Sequence, residues 1–196
     1  MAVNICILLA AIASFATSTV SATDVIKVPL QTRSQPILRI PDGQAVLMTA
    51  YAEGVQIYVS KPDADPAGAT TAPSLKWVLK APRAVLFDQN HKKIGAHSAG
   101  PTWELQDGSK VMGERTPVLR VDAAKASDIA WLLLKAKSHE GSGLLSRVTY
   151  VLRVDTSGGV SARPPSSHQG QQETQVRYRA TYIFLCAAPE EPKSRS

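Results

Sequence analysis

The chain has 196 residues, with Lys+Arg 22 against Asp+Glu 16 and a formal net charge of +6. That length suits a single domain with its own core. The positive charges are scattered, the tightest runs being Lys92-Lys93 and Arg177-Tyr178-Arg179; a nucleic-acid surface gathers them on one face, so no nucleic-acid partner is expected, only weak attraction to acidic polymers or lipid head groups.

The first element in the chain is an export signal. Ile5 to Ala13 is apolar and uncharged and continues through Ser14-Phe15-Ala16. That length fits the apolar core of a signal peptide and falls short of the ~20 residues a bilayer span needs. Val20-Ser21-Ala22 supplies the small or β-branched residues of a cleavage site. No Lys or Arg precedes the run, so only the amino terminus is positive there. The competing reading is a buried N-terminal helix. The organisation expected is a signal peptide over 1–22 cleaved before Thr23, one β-rich domain over 23–188 and a flexible C-terminal tail over 189–196. The destination is secreted or periplasmic, with no transmembrane segment in the mature chain.

Of the two cysteines, Cys6 leaves with the signal. Cys186 then has no partner for an internal disulfide. It ends the apolar run Tyr182-Ile183-Phe184-Leu185 and reads as a small core residue rather than a nucleophile.

Thirteen prolines and twelve glycines, given as Pro 13 and Gly 12, break the rest into short runs rich in Val, Ile, Leu, Tyr and Trp, the pattern of many strands joined by turns. In chain order the predicted strands are 36–40, 45–52, 54–60, 75–80, 84–88, a strand after the hairpin turn of 88–95, 110–113, 118–121, 131–136, 147–154 and 175–184. The last two alternate apolar with polar residues, as a strand with one wet face does. Asp122 to Ala126 makes at most one helical turn. Lys61–Pro73 reads as an inserted loop and Ser157–Thr174 as a mobile surface loop. The fold class expected is all-β: an antiparallel β-sandwich, jelly-roll-like in one version, with a partly open β-barrel as the alternative.

Two clusters hold the chemistry-bearing residues. The first runs from His97 through Gly100-Pro101-Thr102-Trp103-Glu104 to Asp107-Gly108-Ser109; the second is Lys135 to Gly143, with His139 and Glu140 beside a glycine-rich turn. The first cluster, with Gly95 and Lys110-Val111, and the segment from Trp131-Leu132-Leu133-Leu134-Lys135-Ala136 through His139, Tyr150 and Arg153 to Thr156-Ser157-Gly158-Gly159, resemble a bacterial and fungal family catalogued as domain of unknown function 3455. The resemblance runs from about Pro36 to Phe184. It implies a single exported domain and no particular activity. A malate dehydrogenase label carried by some members finds no support, because no strand-GxGxxG-helix unit is present. The family pattern also implies two cysteines that pair with each other; Ser60 and the Pro164-Pro165-Ser166-Ser167 stretch stand there instead, so the two loops are expected to be looser.

The leading functional reading is a non-enzymatic surface or ligand-binding β-domain. The ligand-binding candidates are Tyr58, His97, Trp103, Glu104, Asp107 and His139, with an exposed aromatic stacking on a small molecule or carbohydrate. The alternative is a metal-dependent or acid–base enzyme in which His97, Glu104 and His139 converge. No dehydrogenase or hydrolase signature supports catalysis, and no cofactor is predicted beyond that divalent metal. A third reading makes all these residues structural.

Overall fold

A computed structural model describes residues 38, 40–63, 74–121, 123, 125–166 and 171–189. The expected signal segment, residues 64–73 of the inserted loop and most of the tail lie outside them. Among the described residues, no helix is long and apolar enough to cross a membrane.

The all-β antiparallel class is what the structure shows. Eight strands follow one another around a ring: β1 (Gln44–Pro62), β2 (Leu75–Phe87), β3 (Lys93–Ser98), β4 (Thr102–Leu105), β5 (Lys110–Val121), β6 (Trp131–Glu140), β7 (Tyr150–Gly158) and β8 (Glu173–Ala187). Every neighbouring pair is antiparallel. The ring closes where β8 returns to β1 along nearly the full length of both, from Gln44↔Ala187 to Val59↔Glu173. The order is up-and-down, without the crossed connections of a jelly roll, and opposite walls face each other across one core. Closure satisfies the backbone groups that an open sheet leaves unpaired at its edges. An eight-stranded ring is just wide enough to be filled by side chains or to hold one small ligand.

The strands are fewer and longer than the sequence pattern predicts. Runs 45–52 and 54–60 form the single strand β1. Runs 75–80 and 84–88 merge in β2 across Pro82, which pairs with Gln56 of β1 and lies beyond the last β2–β3 pair, Ala84↔His97; a proline, which donates no hydrogen bond, is tolerated where one side of the strand is unpaired. The predicted hairpin at 88–95 is present. Asp88 Oδ1 accepts from the backbone N–H of Asn90 and of Lys92, each at 2.9 Å.

The core fills the ring. Ala50, Ala52, Leu86, Trp103, Val111, Leu134, Val151, Tyr182 and Phe184 point inward, and Leu145 and Val148 complete the cluster. A smaller cluster of Leu133, Leu152, Val154 and Leu185 occupies the opposite face of β6, β7 and β8, packed with Leu38 and Ile40 from the chain before β1. Both faces of these strands are therefore apolar, which explains the unbroken Trp131-Leu132-Leu133-Leu134 run.

The two ends of the ring differ. At one end a short 3-10 helix, Leu144–Arg147, places Leu145 in the core as a plug. Asp107 fixes it. One carboxylate oxygen accepts from the Ser109 backbone N–H at 2.8 Å and its hydroxyl at 2.6 Å, the other from the Leu144 N–H at 2.8 Å. Ser109 Oγ in turn accepts from the Leu145 N–H at 3.0 Å. At the other end the wall is lined by Tyr58, Arg115, Arg153 and the Asp128–Ala130 segment, and it opens into a cavity.

The described parts of the 157–174 segment are tethered. Ser157 and Gly158 belong to β7. Ser60 exchanges two bonds with Gln172, one through its backbone N–H at 2.9 Å and one through its hydroxyl at 2.8 Å. Trp77 Nε1 donates to the Arg163 carbonyl at 2.7 Å. Cys186 is a free, half-buried thiol near the end of β8.

Candidate functional site

The open end is built by strand parity. Side chains two apart share a face, so Ala50 and Ala52, pointing inward, are followed on the same face of β1 by Gly54, Gln56 and Tyr58. On β7, Val151 and Arg153 share the interior in the same way; on β8, Tyr178, Ala180, Tyr182 and Phe184 do. The small residues Ala50, Ala52 and Gly54 leave room across the ring, and polar groups enter it.

Two adjoining cavities result. The outer one has a volume of about 360 Å³ and the inner about 130 Å³. Gln56, Leu79, Arg115, Leu132 and Arg153 line both. The outer chamber alone reaches the low end of the ~300–1,000 Å³ range of small-molecule sites.

Gln56 is only 1 % exposed, yet neither its amide nitrogen nor its carbonyl oxygen bonds to any described group. Trp103 Nε1 and the hydroxyls of Tyr178 and Tyr182 are buried in the same condition. A buried polar group without a partner costs about 1–3 kcal/mol, and such groups are rare in native interiors. Here Gln56, Trp103 and Tyr182 line the same cavity.

The cavity's edge is fixed by backbone. Tyr58 donates its hydroxyl hydrogen to the Gly159 carbonyl at 2.7 Å. Gly159 has φ of +94°, and a Cβ there would fall 2.7 Å from Ile129 Cγ2 and 3.3 Å from Gln56 Cγ. Only glycine therefore fits between Ile129 and Gln56 in this conformation. Arg153 donates through Nε and Nη2 to the Ala130 carbonyl at 3.0 and 2.8 Å. Its plane is thus set by backbone rather than by a carboxylate.

Burial dominates the protonation behaviour. It raises the Tyr58, Tyr178 and Tyr182 phenols, and the charge of Arg153 opposes that rise at all three. His97, 3 % exposed, is lowered to about 4, chiefly by burial; the hydrogen bond to Thr102 pulls the other way, and Arg153 lowers it further. His97 Nδ1 lies 2.9 Å from the Thr102 carbonyl, so it carries the hydrogen and donates, leaving Nε2 as an acceptor. Its ring stacks on Trp103 with centroids 4.6 Å apart.

The sequence candidates divide into two groups. Tyr58, His97 and Trp103 line the cavities. Glu104, Asp107 and His139 lie elsewhere. Trp103 pairs with His97 across β3–β4 and faces inward; Glu104 is the next residue and faces outward. There it shares Lys110 with Glu140, at 3.7 and 3.1 Å. Asp107 holds the 3-10 helix at the closed end, and its carboxyl lies below the usual range because Ser109 and the backbone of Leu144 and Ser109 bond to it. His139 is exposed and donates from Nε2 to the Val148 carbonyl at 2.7 Å.

The expected convergence of His97, Glu104 and His139 is therefore corrected. His97, Trp103, Val111 and His139 are successive cross-strand neighbours. Three strand spacings, about 14 Å, separate the two imidazoles, and Glu104 is on the other face. Two ligands of one metal lie about 2 Å from it. Among the described residues, no group of three His, Cys, Asp or Glu is placed to hold a metal.

The sequence reading missed Gln56, Arg115, Arg153, Tyr178 and Tyr182. A usable signal was present: Gln56 and Tyr58 have the parity of Ala50 and Ala52, which places polar groups on the small-residue face of β1.

No curated protein and no solved structure matches the chain. Residues 41–186, which span all the strands but the last residue of β8, match the family model described as a protein of unknown function, DUF3455, and the chain belongs to that family.

Proposed function

We propose that this is an exported, non-enzymatic β-barrel that binds a small polar molecule at its open end. The observation that carries the reading is Gln56, a buried carboxamide with neither polar atom bonded, facing both chambers. A fold that needed this position only for packing would be better served by an apolar residue, since replacing an unsatisfied polar group by an isosteric apolar one is neutral or stabilising. Binding sites hold such groups at a cost in stability.

Gln56→Leu is therefore expected to raise the urea-unfolding free energy by about 1 kcal/mol while removing ligand response. A panel of small polar molecules, sugars included, is screened against wild type and variant by thermal shift. A ligand at 100 times its Kd adds about 2.7 kcal/mol, which moves Tm by several degrees in a domain of this size. If Gln56→Leu lowers stability by more than about 2 kcal/mol, the amide is a structural element and the reading fails.

Export rests on the apolar segment from Ile5 to Ala16 and the Val20-Ser21-Ala22 site. Intact-mass measurement of the protein recovered outside the cytoplasm is expected to give a chain beginning at Thr23. A chain that still carries Met1 to Ala22 would remove this part of the proposal.

A further inference from the structure

The charge around the cavity narrows the ligand, granted that the site binds one. Arg115, Lys125 and Arg153 line the outer chamber, against Asp128 alone. Asp128 is already engaged, its Oδ1 accepting from the Gly158 N–H at 2.6 Å and the Ser127 hydroxyl at 3.1 Å. Among the described residues, no carboxylate pairs with Arg115, Lys125 or Arg153. Arg153 is half-buried. Its charge acts on Tyr58, His97, Tyr178 and Tyr182, four side chains from three separate strands. A guanidinium so enclosed and lacking a counter-ion has lost much of its hydration without the compensation that buried charges ordinarily receive. Its attachment to the Ala130 carbonyl uses one edge, and the rest of the guanidinium faces Tyr182 and the cavity. The inner chamber is mixed: beside the shared lining it adds the apolar Trp103, Leu134, Pro82 and Pro101 together with Lys80, His97 and Tyr182. Gln56 stands at the junction, with an N–H₂ that can donate to an anion.

We infer that the ligand is a small organic acid, its carboxylate held by Arg153, Arg115 and the Gln56 amide and its apolar body seated in the inner chamber against Trp103 and Leu134. The planar guanidinium matches a carboxylate by paired hydrogen bonds. Trp103 and Leu134 offer a carbon body contacts that an inorganic anion cannot use. A metal cation is disfavoured by the local excess of positive charge.

Calorimetric titration of the full chain tests this with phenylacetate and hexanoate, their neutral analogues phenylacetamide and hexanamide, inorganic phosphate, and glucose as an uncharged polar control. At least one acid is expected to bind tenfold or more tightly than its amide, with phosphate too weak to displace it. Arg153→Met is expected to reduce acid binding at least tenfold. Arg115→Met, at a side chain with no bonded partner among the described residues, is expected to weaken it several-fold and keeps the test valid if Arg153→Met fails to fold. Equal binding of acid and amide overturns the anion assignment. Phosphate binding as tightly as the acids overturns the organic body. Glucose binding without the acids overturns the inference and leaves the small-molecule reading standing. Silence across the panel overturns the organic-acid inference, and combined with a destabilised Gln56→Leu it removes the small-molecule reading as well.

Discussion

Trp103→Ala is expected to cost about 3–5 kcal/mol of unfolding free energy, the range for removing a large buried aromatic. The indole is 1 % exposed and touches three rings. It stacks on His97 at 4.6 Å and meets Tyr182 and Phe184 edge-on at 5.3 and 6.0 Å. Each such pair adds about 0.5–1.5 kcal/mol beyond area burial. Its slot is made by Gly113 on β5, where a Cβ would fall 3.1 Å from Trp103 Cζ3 and 3.2 Å from Leu134 Cβ. The surrounding strands belong to a closed ring and cannot collapse into the void independently, so the upper part of the range is expected. Tm should fall by about 10 °C or more, at ~2–4 °C per kcal/mol for a domain of this size. Trp103→Phe, which keeps one ring, should lose roughly half as much. Urea midpoints for the three proteins check the order. A loss under about 1 kcal/mol for the alanine variant would mean that the indole does not organise the interior.

The same residue shows how much of the molecule was legible in its sequence. Trp103 stood out as an aromatic between Gly-Pro and Asp-Gly turns, but the short strand that carries it, β4, is absent from the predicted elements because four residues are too few to show an alternating pattern. The hairpin at Asp88 was legible for a local reason: an aspartate can bond to backbone two and four residues on. Gly54 misled. It reads as the start of a second strand, 54–60, but it sits inside β1, where a Cβ would lie 2.2 Å from the Arg83 carbonyl oxygen on β2. A close approach of backbones and a turn both demand glycine, and one sequence does not separate them. The polar site was harder still. Around Gln56, the alternation Gly54-Val55-Gln56-Ile57-Tyr58 invites the assignment of Val55 and Ile57 to the core, whereas the polar face is the interior one. Which face is inside is fixed by the pairing of β1 with β8, more than a hundred residues away, and long-range register is not written in local pattern. The proposed metal set failed for the same reason. His97 and Glu104 are close in sequence, but the odd difference between Trp103 and Glu104 sends the carboxylate to the outer face.

His97 makes a second large effect predictable, one that separates the interior from the surface. Its folded-state pKa of about 4 lies below the ~6.5 of an unfolded histidine. Between those values the unfolded chain binds a proton that the native interior does not, so stability rises with pH in that window and is lost as pH falls from about 6.5 toward about 4. The direction follows from the surroundings. Protonation would place a cation against Trp103 and Tyr182, with the charge of Arg153 nearby, while the one compensating contact, to the Thr102 carbonyl, is already made by the neutral ring. At 1.36 kcal/mol per unit, the full window is worth about 3 kcal/mol. His97→Gln keeps a donor for Thr102 and cannot titrate. Urea unfolding of both proteins at pH 7, 5.5 and 4.5 isolates the effect, since every other group cancels in the difference. The wild type is expected to lose about 2–3 kcal/mol more than the variant between pH 7 and pH 4.5. Parallel curves would show that water reaches the imidazole. The inner chamber would then be wet, and its apolar side chains would no longer argue for a carbon-bodied ligand. The pH profile thus bears on the organic-acid assignment without needing the ligand in hand.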